Sequence, residues 1–314
     1  MSHVPIFRVG MTALASLLLG LCLTLAGCGP SSDAGARVLK VALIPADGGT
    51  ESGTRADFAP VFDAMGRHTG LTFELTVAQS YGAVVEALCS GQTDIAFVGP
   101  VTYVQAQRRG CTDFLAVAVD RGQSVYYSAL VVRAASPIRQ VADLRGKRVG
   151  FGDSNSTSSF IVPIDMIRKA GIDPTRDLAR VALIGSHASS LAALISGQVD
   201  VAALSLDSLD KALASKVVKA SDIRVIARSQ PIPYPPFVMR RSLDDATKQT
   251  LRVAFDGIAH MPGIDPALIR GYGGKPVDDY RSDFDPLAYD AVAEMVDGVT
   301  PDMRDEILAA ASRR

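Results

Sequence analysis

Ala87-Leu88-Cys89-Ser90-Gly91-Gln92-Thr93-Asp94-Ile95-Ala96 recurs 106 positions later as Ala193-Leu194-Ile195-Ser196-Gly197-Gln198-Val199-Asp200-Val201-Ala202, with seven of ten residues identical. The shared pattern A-L-x-S-G-Q-x-D-(I/V)-A describes a helix end, a polar turn and the start of a buried strand. Gly supplies the left-handed residue that ends the helix, and Asp begins the turn into the strand. A match of this length at a constant offset marks an internal duplication.

The surroundings repeat as well. Apolar runs at 71–77 and 180–184 feed helices starting near Tyr81 and His187. Further upstream, 38–44 and 147–152 read as continuous apolar strands, each leading through a Gly/Ser/Thr-rich loop into a helix, at 56–68 and 159–170. Strands at 114–119 and 223–227 close the two sets. Strands alternating with helices of this length predict α/β lobes with mostly parallel sheets covered by helices. YYSALVVR at 126–133 reads as an extended crossing strand, and the proline-rich 231–238 as a second crossing where helix is forbidden. The expected architecture is a two-lobed clamshell, with lobe one at 37–130 plus 238–314 and lobe two at 131–237. The tail from 243 onward is helical in pattern, with Ser242 and Asp244 as caps, and is expected to pack on lobe one.

Composition agrees with two folded domains. The chain has 314 residues, 48% of them hydrophobic, and 32 Lys+Arg against 33 Asp+Glu. These values exclude a disordered polymer and give no bulk charge for holding nucleic acid. Arg8 is the lone Lys or Arg among the first 27 residues; the uncharged stretch 9–27 ends in Leu25-Ala26-Gly27-Cys28, followed by a Gly/Pro/Ser linker. Residues 1–27 therefore read as an export signal, 28–36 as a flexible linker, and L-A-G-C resembles a bacterial lipobox with Cys28 as the lipidated residue. An uncleaved membrane anchor is the alternative. Cys89 and Cys111 then remain as an even pair in an oxidising compartment, either a disulfide or two small buried residues.

In open parallel sheets, ligands meet the loops after strand C-termini, beside helix N-termini. In lobe two that loop is Asp153-Ser154-Asn155-Ser156-Thr157-Ser158-Ser159, with five hydroxyls and no Lys or Arg. Capping accounts for one or two of them; the rest suit a small oxyanion held by uncharged donors. The offset makes Tyr81 and His187 equivalent helix-start residues on opposite lobes, facing one cleft. Tyr103 follows the repeated strand and is expected to donate to the anion. Asp207 either caps its helix or accepts a proton from a ligand's P–OH.

D-S-N-S-T-S-S-F-x-V-P at 153–163, G-S-H at 185–187, Y-x-x-V-V-E-A-L at 81–88 and D-I-A-F-V-G-P-V-T-Y-V at 94–104 resemble the PhnD-like phosphate/phosphite/phosphonate-binding proteins of ABC importers. The resemblance covers about 38–255. It implies a type II periplasmic-binding-protein clamshell and ligand oxygens held by Ser156, Thr157, Ser158, His187, Tyr81, Tyr103 and Asp207, with Asn155 in the same loop. It also implies an inner-membrane ABC permease as partner and no cofactor. Two departures bear on the ligand: Ser159 stands where relatives often have Gly, and the loop at 46–55 is unusually rich in Gly and Thr.

The sequence lacks a G-x-S-x-G elbow, a phosphate-loop signature and H-E-x-x-H, and its histidines have no metal-ligand spacing. The expectation is a lipid-anchored periplasmic transport component and not an enzyme. The alternatives are an envelope sensor that presents an oxyanion to a membrane partner, and a lipid-anchored phosphoester hydrolase.

Overall fold

The apolar runs near 38 and 148 become the first strands of two separate sheets. In the first, β1 (Val38–Leu43) leads through α1 (Glu51–Thr69), β2 (Thr72–Val77), α2 (Tyr81–Cys89), β3 (Ile95–Phe97) and α3 (Pro100–Arg108) to β4 (Thr112–Val119). β5 (Val125–Tyr126) and β6 (Ser128–Arg133) carry the chain across. The second lobe follows as β7 (Arg148–Gly152), α4 (Val162–Lys169), β8 (Arg180–Gly185), α5 (His187–Ile195), β9 (Val201–Ser205), α6 (Leu206–Ala214) and β10 (Ile223–Arg228). β11 (Ile232–Pro233) and β12 (Pro236–Arg240) return to the first sheet. The tail adds α7 (Asp245–Asp256), β13 (Asp279–Arg281), α8 (Asp290–Gly298) and α9 (Pro301–Ser312).

This computed structural model describes residues 1, 3, 38–45 and 51–312. The signal, Cys28, the linker and residues 46–50 of the Gly/Thr-rich loop lie outside the described residues. The chain divides into units Met1–Arg37 and Val38–Arg314, and the second contains both sheets.

Strand order is β13-β4-β12-β3-β1-β2 in one sheet and β10-β6-β9-β7-β8 in the other. Both sheets are mixed: β2, β1 and β3 in one and β8, β7 and β9 in the other pair in parallel. One crossing strand is inserted antiparallel at the corresponding place in each, and β13 adds an antiparallel edge to the first. β12 lies between β3 and β4, and β6 between β9 and β10. The crossings also pair with each other, Tyr126 opposite Ile232 and Val125 opposite Pro233, so the connection is a two-stranded ribbon.

The duplicated segment does the same structural job twice. Ser80 Oγ accepts the Ala83 N–H at 3.2 Å, and Ser186 Oγ accepts the Ser189 N–H at 3.1 Å, capping α2 and α5. Gly91 and Gly197 follow those helices at φ 77° and 76°, a region costly for any residue with a Cβ. Asp94 and Asp200 then each accept a backbone N–H from the first strand of their own sheet, Lys40 and Arg148, both at 3.0 Å. The repeat is therefore an architectural clamp between a helix end and two strands.

Phe58, Phe97 and Phe237 interlock in the first lobe, with ring centroids 4.8 Å apart for Phe58–Phe97 and 5.0 Å for Phe97–Phe237. Burying each such ring contributes about 1.5–3 kcal/mol. Leu191, Leu194, Val199 and Leu204 form a separate cluster on the second sheet. Cys89 and Cys111 are joined in a disulfide that ties the end of α2 to the approach to β4, with Cα atoms 5.0 Å apart.

Three expectations are corrected. α1 begins at Glu51, so 51–55 are helical and not loop; Phe58, Val61 and Phe62, buried in the core, anchor this helix despite Gly53. The tail is not helical throughout. Gly and Pro residues between 257 and 286 break the pattern, and β13 takes the open edge of β4. Nor does the tail stay on lobe one, because α9 lies against β8 of lobe two.

Candidate functional site

The hydroxyl-rich loop after β7 is folded by its own first residue. Asp153 Oδ1 accepts the Asn155 N–H at 2.7 Å, while Oδ2 accepts the Tyr81 N–H of the opposite lobe at 3.4 Å. Ser156 then caps a single π turn, Thr157–Ile161, by accepting the Ser159 N–H at 3.3 Å. Such widened turns are uncommon and concentrate at functional sites. Gly152 makes the turn possible, since a Cβ there would lie 2.1 Å from Ser159 Oγ. Ser156, Thr157, Ser158 and Ser159 are each 1% exposed.

The two lobes meet at this turn. Thr157 Oγ1 accepts the N–H of Val101, in the first turn of α3, at 2.9 Å. The positive end of a lobe-one helix thus points at a hydroxyl of lobe two. Both the Tyr81 ring and Thr157 Oγ1 lie within 4 Å of the Cβ position of Gly99, so they flank one spot from opposite walls. Tyr126, from the crossing ribbon, places its hydroxyl beside Ser158 and Thr157, and burial raises its pKa.

His187 opens α5 as Tyr81 opens α2, and it is fully buried. Its Nδ1 accepts the Ser205 N–H at 3.1 Å, so the neutral ring carries its proton on Nε2, which faces the Tyr272 hydroxyl at 2.5 Å. Burial lowers the imidazole pKa to about 3, which keeps it an uncharged donor. The lone pair of the neutral ring, on Nδ1, is taken by the Ser205 N–H, so His187 offers a donor at Nε2 and no base to Ser158. Asp207, in the first turn of α6, has its pKa raised to about 6 by burial, opposed by Lys275. Lys275 Nζ lies 3.6 Å from Asp207 Oδ1.

Of the residues expected from sequence, Tyr81, Ser156, Thr157, Ser158, His187 and Asp207 line the contact region between the lobes. Two are turned to other tasks. Tyr103 does not present its hydroxyl here. That group accepts from Gln107 Nε2 at 2.6 Å, and its ring packs on Tyr289 with centroids 4.7 Å apart, because it continues along α3 away from the helix start. Asn155 spends its carbonyl on Gln105 (3.1 Å) and Arg304 (2.6 Å), which bind the loop to α3 and α9. Sequence reading missed Tyr126, Tyr272 and Lys275. Tyr126 was hidden in a strand read for its backbone alone, and the other two in a tail read as helix. The G-Y-G-G-K-P run at 271–276 was the available signal against helix.

A sequence profile for the periplasmic phosphonate substrate-binding proteins of ABC transporters matches residues 49–273. The phosphonates-binding periplasmic protein of Escherichia coli is 29% identical over 233 residues, covering 72% of this chain and 68% of that protein. The phosphate-import protein PhnD of Mycolicibacterium smegmatis is 28% identical over 239 residues, covering 72% and 74%. Among solved structures, a binding-protein component of an ABC phosphonate transporter from Pseudomonas aeruginosa superposes with a TM-score of 0.74 at 22% identity, covering 88% of this chain and 90% of that one. With the profile spanning well over half of its length, the chain belongs to the family of periplasmic substrate-binding proteins of phosphonate ABC transporters.

Proposed function

We propose that this protein captures a small phosphorus oxyanion between its lobes and delivers it to an inner-membrane ABC permease. The observation that carries this reading is the meeting of uncharged donors from both lobes, with Thr157 Oγ1 taking the Val101 N–H at the start of α3. Around that contact stand Ser156, Ser158, Tyr81 and Tyr126, and His187 connects to it through Tyr272, whose ring lies 5.2 Å from that of Tyr126; none of these is a cation. An oxyanion bridging the two walls binds the closed form better than the open one, and so shifts the population towards closure. Asp207 accepts a P–OH hydrogen bond, which favours a partly protonated phosphorus oxyanion over sulfate. The two curated relatives carry phosphonates and phosphate in their names, which supports the class. Anchoring at Cys28 rests on the L-A-G-C motif; Cys28→Ala is expected to release the protein from membranes.

The test is a calorimetric panel of phosphate, phosphite, methylphosphonate, 2-aminoethylphosphonate and sulfate, with solution scattering at saturation. Binding of at least one phosphorus oxyanion with compaction, and no heat from sulfate, is expected. Binding of none of the phosphorus compounds would overturn the reading.

A further inference from the structure

The tail segment 270–276, R-G-Y-G-G-K-P, is pinched shut by a bridge between Arg270 and Pro276 and lies across two cleft-lining groups of lobe two at once. Tyr272 meets His187, and three residues later Lys275 meets Asp207. Between them the backbone is packed directly on α6, since a Cβ on Gly273 would lie 3.4 Å from the Asp207 backbone. Asp207 is 7% exposed, and its Oδ2 has no hydrogen-bond donor. A carboxylate buried in this way requires a cation or a proton. Lys275 supplies the cation from within the chain, while also pairing with Asp120 Oδ2 at 2.6 Å. Arg121 pairs with Asp120 as well, at 3.4 Å, and Asp210 is a further carboxylate acting on Asp207. The family match ends at residue 273, which leaves Lys275 beyond it.

Resting on the oxyanion-carrier reading, the geometry points to Lys275 as the residue that sets the cargo class. The cleft takes phosphorus oxyanions with an uncharged substituent or none, and rejects those bearing an ammonium group. With the ligand's P–OH held on Asp207, an ammonium on its substituent meets the adjacent Lys275 as a like charge, and displacing Lys275 would break its pairing with Asp120. The discrimination is thus built from a repulsive element as well as an attractive one.

Titration calorimetry on the purified full chain with methylphosphonate and 2-aminoethylphosphonate tests this. Wild type is expected to prefer methylphosphonate by about tenfold or more, and Lys275→Met to shrink or invert that ratio by a similar factor. Equal or tighter wild-type binding of 2-aminoethylphosphonate would overturn the assignment, as would an unchanged ratio in Lys275→Met. The wild-type ratio stands on its own if that variant fails to fold. Binding of neither compound by wild type would instead remove the oxyanion reading, and the role of Lys275 with it.

Discussion

His187 Nε2 and the Tyr272 hydroxyl lie 2.5 Å apart, joining the start of a lobe-two helix to a tail turn that sequence patterning places in helix. The contact fixes the imidazole as a neutral Nε2–H donor, because the backbone N–H of Ser205 occupies Nδ1. It also means that His187 ties the start of α5 to the tail.

His187→Ala is therefore expected to abolish oxyanion binding and to cost about 1–3 kcal/mol of stability, since the Ser205 N–H loses its buried acceptor. Calorimetry and urea unfolding on the same variant check both parts. Retained affinity would remove His187 from the site.

Opposite pH dependences are expected from His187 and Asp207. The His187 pKa is depressed from 6.5 to about 3, so its contribution is complete above 6.5 and is lost as pH falls from there towards 3. The Asp207 pKa is raised from 3.8 to about 6, so the folded state holds that proton more tightly. Its penalty grows as pH rises from about 4 to 6. Wild type partly cancels the two effects. Urea midpoints between pH 4 and 7 should rise with pH more steeply in Asp207→Asn than in wild type, and less steeply in His187→Gln.

Thr157→Val preserves shape but removes the acceptor for the Val101 N–H. Leaving that helix-start donor unpaired costs about 1–3 kcal/mol. Oxyanion affinity should fall more than global stability, because an open form returns the donor to water. Equal effects on calorimetric affinity and urea midpoint would contradict an interlobe role.

Reducing the Cys89–Cys111 bridge, which closes a separation of 22 residues, should cost about 3 kcal/mol by loop-closure entropy. Affinity should be unaffected, because the bridge ties α2 to β4 at the end away from the cleft. Denaturation of Cys89→Ala/Cys111→Ala, with calorimetry alongside, measures both.

Much of the fold was legible in the residues because its signals are local. The A-L-x-S-G-Q-x-D unit encodes a cap, a left-handed glycine and a strand start within ten positions, and the prolines at 231–236 forbid helix wherever they fall. The hydroxyl run 154–159 was legible as a helix mouth for the same reason. The direction of Tyr103 was not, since a residue three positions into a helix can face the ligand or follow the axis, and packing on Tyr289 decides which. Nor was it legible that the Asn155 carbonyl, in the same loop, accepts from Arg304, 149 residues away.

Local chemistry along the chain was enough to establish two like halves, an α/β class and a loop suited to an anion. Only folding in three dimensions decided that a glycine-rich turn in the tail lies over both His187 and Asp207. Such a pairing joins groups far apart in sequence, and no short-range preference carries information about it.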